Sequence, residues 1–142
     1  MPRSLDDLLG DARARIVRLT PSQAFEAVSN GALLIDIRSE QDRGRSGVAP
    51  GSIHIPLTVL SWRVAPDSPW RNPHLGPSHR QLVVICEQGF SSSLAAATLV
   101  ELGLDATDVV GGFEAWKEEG LPAVPPGRGR GDHRLAGMDR PD

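Results

Sequence analysis

The chain lacks the features that would point to a membrane protein, a secreted protein or a nucleic-acid-binding protein. It has a single cysteine in 142 residues, which excludes an internal disulfide framework. No stretch of the sequence approaches the about eighteen consecutive apolar residues of a membrane-spanning helix. Residues 1–17 mix Asp and Arg into the part that a secretory signal would keep apolar, so we expect a cytoplasmic protein. The net charge of −3 gives no general attraction for nucleic acid.

Composition divides the chain into three parts. Residues 1–18 are an N-terminal extension that predicts a short amphipathic helix packed on the body. The apolar positions of that helix are Leu5, Leu8, Leu9 and Ala12. Residues 19–124 are long enough for one domain with a hydrophobic core, and their seven basic and twelve acidic residues disfavour a polyanionic partner. Residues 125–142 contain four Gly and three Pro without apolar periodicity, which predicts a flexible tail.

Between these ends, helix and strand signals alternate. Thr20, Pro21 and Gln23 have the order of a helix capping box with proline at the first helical position. Gly111 and Gly112 are interpreted as a tight turn before the last helix. The predicted strands are 32–37, 53–55, 81–85 and 108–110, the predicted helices begin near 21, 57, 94 and 113, and 38–51 is predicted to be a polar loop. Strands that alternate with helices through short connections predict a mainly parallel α/β sheet.

Cys86 stands directly after the predicted strand 81–85, and the carboxyl ends of parallel strands form the ligand-binding edge of such sheets. A lone buried cysteine is more often inert packing than a nucleophile. Here, however, the loop that follows would surround the sulfur with backbone N–H groups, and the next helix would point its N-terminus at the same place. Gly89 permits the positive φ of a tight loop, and the serines at 91–93 are predicted to cap the helix and to donate hydroxyl hydrogen bonds into the pocket. Because these features stabilise an anionic sulfur, we predict that Cys86 is a nucleophile.

Four segments of the chain resemble a known family. They are LLIDIRS (33–39), PGSIHIP (50–56), VVICEQGFSSSLAA (83–96) and VVGGFEAWKEEGLP (109–122). In this order and spacing, the chain from 20 to 122 resembles a single-domain rhodanese, a sulfurtransferase. The resemblance implies an α/β fold with about five mainly parallel strands and helices on both faces. It also implies that Cys86 takes up a sulfane sulfur as a persulfide and passes it to a thiol or another nucleophilic acceptor.

The resemblance also implies roles for residues around Cys86. The substrate-binding loop would consist of the residues that follow the cysteine, namely Glu87, Gln88, Gly89, Phe90, Ser91 and Ser92. Asp36 and Arg38 would form a supporting ion pair near the site. Arg63 is a further candidate, as a cation that leans toward the site, although a solvated surface arginine beside a packed Trp62 is the simpler interpretation. No cofactor is implied, and the histidines lack metal-ligand spacing.

Two other functions compete with sulfur transfer. Related phosphatases need an arginine six positions after the cysteine, but that position is Ser92, so phosphoryl transfer would lose its main charge stabiliser. A non-catalytic rhodanese-like binding or regulatory module is the open alternative, because Glu87 and Ser91 replace residues that attract thiosulfate in many rhodaneses. A carboxylate at the mouth of the pocket repels a dianion, which favours a persulfide over thiosulfate as the small donor.

Overall fold

A parallel β-sheet forms the centre of the fold in the computed structural model, which describes residues 2–127. Its strands are β1 (Leu33–Asp36), β2 (Ile53–His54), β3 (Leu82–Ile85) and β4 (Ala106–Asp108). All neighbouring strands are parallel, in the order β2-β1-β3-β4. Asp36 at the end of β1 is paired with Ile85 of β3 and with His54 of β2. The segments that follow these strands therefore meet at one edge of the sheet, where ligands bind in this class of fold.

Helices cover both faces of the sheet, as predicted. They are α1 (Leu5–Ala14), α2 (Pro21–Ser29), α3 (Glu40–Ser46), α4 (Leu60–Val64), α5 (Ser91–Glu101) and α6 (Gly112–Glu118), with 3-10 turns at Leu57–Val59 and Pro73–Leu75. Side chains along β3 alternate between two cores. Leu82 and Val84 pack with residues of α4 and α5, whereas Val83 and Ile85 pack with residues of α2 and α6. This alternation explains why the strand sequence is apolar throughout.

Within residues 2–127 the sheet has four strands, slightly fewer than the predicted five. Leu19 extends it beyond β4 through a single parallel bridge to Val109. Leu19 N–H donates to the Asp108 carbonyl at 3.0 Å, but the pairing goes no further along the chain. Thr20 is already the N-cap of α2, and Pro21 has no N–H for a ladder, so the chain turns into the helix.

The segment 38–51, predicted to be a loop, contains the helix α3. Ser39 begins this helix by accepting a hydrogen bond from the backbone N–H of Asp42. The helix ends at Gly47, where φ is +88°. The prediction was wrong because EQDRGRS has no apolar repeat, and periodicity is the main signal for a helix. The cap supplied by Ser39 is the local signal that could have indicated it.

The N-terminal extension contains α1, which packs against α5. Ser4 begins α1 with a capping box, and Ala12 is buried, whereas Leu5 and Leu8 are exposed. None of the helices within residues 2–127 has the length and apolar character to cross a membrane. Most of the tail predicted at 125–142 lies outside the described residues.

His54 on β2 is a buried histidine that joins β2 to the segments after β1. Its Nε2 donates to the Arg38 carbonyl at 2.7 Å, and its Nδ1 lies 3.3 Å from Arg43 Nη1, which can only donate. Both contacts fit a neutral ring that carries its proton on Nε2. Burial lowers the pKa of His54 below its ordinary value, against the opposing effect of the bond to Arg38, and the charge of Arg43 lowers it further.

We expect His54 to make the folded state less stable on acidification. The unfolded histidine has a pKa of 6.5, above that of the folded one, so the unfolded chain binds the extra proton first. Above this pH the contribution of a neutral His54 to stability is fully present. At lower pH the free energy of unfolding should decrease by up to about 1.4 kcal/mol per pH unit, until the folded pKa is reached. In His54→Gln the free energy of unfolding should depend less on pH in this window. Urea unfolding at several pH values measures both slopes, and equal slopes would show that another group titrates.

Candidate active site

Cys86 follows β3 directly, and the loop after it holds the sulfur. Cys86 is 7% exposed, and its Sγ accepts hydrogen bonds from the backbone N–H groups of Gly89 at 3.1 Å and Ser92 at 3.4 Å. The thiol donates to Ser92 Oγ at 3.2 Å. Ser92 lies in the first turn of α5, so the positive end of that helix also faces the sulfur. We call this arrangement of N–H groups the cradle, and it stabilises negative charge on the sulfur.

Two glycines allow the loop to approach the turn before α6. Gly89 has a φ of +87°, and a Cβ at this position would lie 2.8 Å from the nitrogen of Gly111. Gly112 has a φ of +63°, and a Cβ there would lie 2.6 Å from the carbonyl oxygen of Cys86. A side chain at either position would push the two segments apart. The glycine pair, predicted only as a tight turn, is therefore also the surface on which the loop rests.

The first N–H groups of α6 bind carbonyl groups of the loop. Phe113 N–H donates to the Cys86 carbonyl at 2.8 Å, and Glu114 N–H donates to the Glu87 carbonyl at 3.0 Å. These bonds turn the carbonyl oxygens of the loop toward α6 and leave N–H groups to face the sulfur. The cradle thus depends on α6 as well as on its own sequence.

The serines after the loop do not cap α5, so that prediction was wrong. Phe90 is the N-cap residue, and it makes no side-chain capping bond. Ser92 Oγ donates to the carboxylate of Asp108 at 2.7 Å, and Ser93 Oγ donates to the same carboxylate at 2.8 Å. A carboxylate is a strong hydrogen-bond acceptor, which explains why these two hydroxyl groups donate to Asp108 and not into the pocket. Ser91 is exposed and lines the cavity described below.

Arg38 is the centre of an ion-pair network beside the loop. Its Nε and Nη2 donate to Asp36 at 3.0 and 2.8 Å, and its Nη1 donates to Glu87 at 3.1 Å. Arg43 Nε also donates to Asp36, at 3.3 Å. The guanidinium carbon of Arg38 lies 4.1 Å from the centroid of the Phe113 ring. Burial by itself lowers the pKa of Arg38, but the bonds and charges of Asp36 and Glu87 outweigh burial and raise it, so Arg38 stays charged.

A cavity of about 270 Å³ opens beside Cys86. Its lining comes from the ends of β1 and β3 and the segments near them, namely Ile37, Arg38, Ser39, Asp42, Leu57, Cys86, Glu87, Gln88, Phe90 and Ser91. The structure thus brings most of the predicted loop together with Arg38, while Asp36 lies behind Arg38. The Glu87 carboxylate also accepts a hydrogen bond from the Ser46 hydroxyl at 3.2 Å, and its side chain is 24% exposed. Glu87 is therefore held at the cavity wall.

Arg63 does not line this cavity. It is 3% exposed and donates to the Trp70 carbonyl at 2.5 Å. The simpler interpretation, a solvated arginine beside a packed tryptophan, is wrong as well, because Arg63 is buried and Trp62 is 55% exposed. The short helix α4 turns Leu60, Arg63 and Val64 inward, and its sequence pattern did not reveal that arginine shares the buried face.

Sequence reasoning missed Arg13, Arg18 and Asp108, which contact the loop away from the cavity lining. Arg18 Nε donates to the fully buried Asp108 at 2.8 Å. Arg13 and Arg18 each donate to the Gly89 carbonyl, at 2.9 and 3.0 Å. These contacts join residues that are 76 and 71 positions apart, so no local pattern could indicate them.

The geometry suits a cysteine nucleophile that carries a small anionic group. Ser92 occupies the position at which a phosphatase would need an arginine, and its side chain is fully buried. Within residues 2–127, no group of three His, Cys, Asp or Glu side chains could hold a metal ion. Fold and site together define a parallel α/β domain with a cysteine held in a backbone cradle at the carboxyl edge of its sheet.

Comparison with known proteins identifies the family. The Rhodanese-like domain matches residues 20–119, and the chain belongs to this family. The chain is 35% identical over 101 residues to thiosulfate sulfurtransferase GlpE of Pseudomonas savastanoi pv. phaseolicola, covering 70% of this chain and 86% of that protein. It is 32% identical over 128 residues to adenylyltransferase and sulfurtransferase uba4 of Emericella nidulans, covering 76% of this chain and 26% of that protein.

Solved structures share the fold. A protein of unknown function from Rhodopseudomonas palustris, called a possible tyrosine phosphatase, is 29% identical with a TM-score of 0.79, covering 87% of this chain and 96% of that one. A rhodanese-related protein from Thermoplasma volcanium is 27% identical with a TM-score of 0.62, covering 77% and 98%. The predicted family and α/β fold are confirmed. The relatives support a rhodanese-type sulfurtransferase, as predicted, and Ser92 argues against a phosphatase.

We expect Gly89→Ala to destabilise the protein more than its matched control, Gly103→Ala. The two glycines have nearly equal φ values of +87° and +89°, so alanine costs about 1–2 kcal/mol of backbone strain at each. Gly103 has open space around it, whereas a Cβ at Gly89 would meet Gly111. The overlap should lower the free energy of unfolding of Gly89→Ala by roughly a further 1–3 kcal/mol. Denaturant titration measures the difference, and equal losses would show that the loop can move away from the turn.

Proposed function

We propose that this protein is a sulfurtransferase in which Cys86 carries the transferred sulfur as a persulfide. The observation that carries the proposal is the cradle, in which the N–H groups of Gly89 and Ser92 point at Cys86 Sγ. These groups would stabilise a thiolate before the reaction and an anionic persulfide after it. Membership of the rhodanese-like family and similarity to GlpE support the same assignment.

The proposed reaction consists of two displacements at sulfur. The Cys86 thiolate attacks the outer sulfane sulfur of a small donor, an Sγ–S bond forms, and the S–S bond of the donor breaks. The leaving group is sulfite from thiosulfate or a thiolate from a persulfide. An acceptor thiolate then attacks the outer sulfur of the Cys86 persulfide, and Cys86 leaves as a thiolate. One neutral sulfur atom is moved, so the two steps need no external oxidant, reductant or cofactor.

The charges around the cavity favour a persulfide donor over thiosulfate. The one cationic side chain among its described lining residues, Arg38, is already bound to Asp36 and Glu87. Asp42 adds a further carboxylate to the lining. A dianion such as thiosulfate would gain little attraction from these groups. Because the GlpE relatives are named thiosulfate sulfurtransferases, thiosulfate is the donor to compare.

The acceptor we propose is a small thiol or a protein nucleophile. Phe90 and Leu57 line the cavity and are 57% and 46% exposed, so a protein acceptor would cover apolar surface at its mouth. Nucleic acid is not a proposed partner, since residues 19–124 have an excess of acidic side chains. The cytoplasmic location stays a prediction that rests on the single cysteine.

A non-catalytic binding module is the second candidate, and Glu87 is the observation that favours it. A carboxylate beside the nucleophile is unhelpful for anionic donors, and a module without turnover would tolerate it. The two candidates differ in one measurement. Only the sulfurtransferase gains one sulfur atom, about 32 Da, on Cys86 when a sulfane-sulfur donor is added. Intact-mass spectrometry measures this gain.

We expect Cys86→Ser to keep the fold and abolish sulfur transfer. The substitution is nearly isosteric, and the hydroxyl can keep one bond to Ser92, so the free energy of unfolding should change by less than about 1.5 kcal/mol. A serine Oγ is not ionised at neutral pH and cannot carry the persulfide, so the rate should fall to the background of the assay. Donor-dependent turnover and intact mass are measured on both proteins. Equal rates in the two would contradict the role of Cys86.

We expect Glu87→Gln to improve thiosulfate as a donor, because it removes one negative charge and leaves Arg38 less neutralised. A gain of about tenfold in kcat/KM corresponds to about 1.4 kcal/mol of transition-state stabilisation. Asp42→Asn is the matched control, since it removes a cavity carboxylate that does not bind Arg38. Its gain should be smaller, and turnover of an alkyl persulfide, which carries at most one negative charge, should change less in either variant.

Donor titrations of both variants at two salt concentrations measure these effects. Added salt should reduce the gain of Glu87→Gln, because partly exposed charges are screened over about 8–10 Å. Unchanged thiosulfate kinetics at both salt concentrations would remove the reason to prefer a persulfide donor.

A further inference from the structure

A second ionic cluster lies against the loop, and none of its charged members lines the cavity. Its centre is Asp108, which ends β4 and is fully buried. The carboxylate accepts hydrogen bonds from Ser92 Oγ at 2.7 Å and Ser93 Oγ at 2.8 Å, and from Arg18 Nε at 2.8 Å and Nη2 at 3.1 Å. With both oxygens bound and one arginine facing it, Asp108 is a charge held in a defined position.

The cluster also binds the residue that supplies the nearer N–H of the cradle. The carbonyl of Gly89 accepts from Arg13 Nη2 at 2.9 Å and from Arg18 Nη2 at 3.0 Å. Arg13 Nε donates to Ser93 Oγ at 3.0 Å, and its guanidinium carbon lies 5.7 Å from the Phe90 ring centroid. Two cations that share one carbonyl oxygen leave Gly89 little freedom to rotate, so its N–H stays directed at Cys86 Sγ.

Ser92 connects this cluster to the sulfur. Its oxygen accepts the thiol proton of Cys86 at 3.2 Å while its own proton goes to Asp108. A serine hydroxyl has only one proton to donate, so it can serve the carboxylate or an anionic sulfur but not both. When Cys86 is a thiolate, the hydroxyl can turn to the sulfur, because Asp108 keeps its bonds from Ser93 and Arg18.

The charge balance of the cluster decides whether a thiolate is tolerated. Asp108 is two hydrogen bonds from Cys86 Sγ, and an uncompensated carboxylate at that separation opposes a second negative charge. Arg18 donates a hydrogen bond to each oxygen of the Asp108 carboxylate, so its positive charge compensates the negative one. Arg13 adds a second cation nearby. Without Arg18, the protein would have to form a thiolate beside a buried anion.

We propose that Arg13, Arg18 and Asp108 are positioning residues for the reaction of Cys86, so that the N-terminal segment completes the site. This inference rests on the proposed function. Arg13 lies on α1, and Arg18 lies between α1 and α2. Both precede residues 20–119, the part that matches the rhodanese-like domain. The segment before the family match therefore does more than cover α5. Its two arginines fix the Gly89 carbonyl and compensate the charge of Asp108.

The test is the rate at which iodoacetamide alkylates Cys86 as a function of pH, measured on the full chain. The charged groups that face the sulfur and the loop are Arg38, Asp42 and Glu87 on the cavity side, Glu114 on α6, and Arg13, Arg18 and Asp108 in the cluster. Arg18→Gln leaves the cavity side intact and should move the midpoint of the profile up by about one pH unit, which lowers the rate near neutrality about tenfold.

Arg15→Gln is the matched control on the same segment, because Arg15 is exposed and pairs with Glu101 instead of the loop. Its midpoint should equal that of the wild type.

A double variant separates electrostatic positioning from loss of fold. Arg18→Gln combined with Asp108→Asn removes the anion together with its partner, so the midpoint should return to within a few tenths of a pH unit of the wild type. A purely structural role predicts no such return, because the double variant has lost more ionic contacts than the single one. An unshifted midpoint in Arg18→Gln, or a shift that Asp108→Asn leaves in place, would overturn the proposal.

Arg13→Gln is a second variant, for use if Arg18→Gln does not fold. It leaves the Arg18–Asp108 pair in place and should lower the rate constant of alkylation about threefold or more through a looser Gly89, at a temperature where thermal unfolding shows both Arg13→Gln and Arg15→Gln to be folded. A rate constant equal to that of Arg15→Gln would overturn the positioning role. Persulfide uptake by the wild type is measured alongside. A wild type that takes up no sulfur would overturn the proposed function, whereas normal uptake with no effect in Arg13→Gln and Arg18→Gln would overturn only this inference.

Discussion

The contact between the loop after β3 and the glycine pair before α6 is the constraint on which the site depends. The backbone of Gly112 lies where a Cβ would meet the Cys86 carbonyl at 2.6 Å, so only glycine permits this approach. The approach lets Phe113 N–H bind that carbonyl, and the opposite side of the loop then presents its N–H groups to the sulfur. The anion-binding property of the cradle is thus a consequence of packing between two distant segments rather than of any one side chain.

The charged side chains on both sides of the loop after β3 are arranged in pairs. The network of Arg38 with Asp36 and Glu87 and the cluster of Arg18 with Asp108 both pair their charges, so neither presents a free cation to the nucleophile. The direct hydrogen bonds to the sulfur come from backbone N–H groups, and the N-terminus of α5 adds to them. Such dipoles need no rearrangement during the reaction, and they do not attract bulky polyanions from solvent.

The sequence predicted the parts of this protein that local signals encode. The apolar run of β3, the Cys86 that ends it and the helix formers of α5 were sufficient to predict a parallel α/β domain with a cysteine at its ligand-binding edge. Local signals were misleading where a tertiary partner decided the outcome. The serines at 91–93 look like helix caps, but the buried Asp108 binds the hydroxyl groups of two of them. Arg63 looked like a surface residue, but it is buried and donates to the Trp70 carbonyl on the segment after α4.

The surroundings of Cys86 accommodate a serine at position 92 and would not accommodate an arginine. Phosphate needs a planar fork that reaches several oxygens, whereas a sulfur atom needs one or two short donors. Ser92 points inward, between Cys86 Sγ and Asp108, and no exposed part of its side chain could grip a tetrahedral group. An arginine there would have to displace the Arg18–Asp108 pair or leave the core, and either change would disturb Gly89. The ionic cluster and the identity of residue 92 are therefore linked, because the buried space around Ser92 is taken up by Asp108 and its partner Arg18.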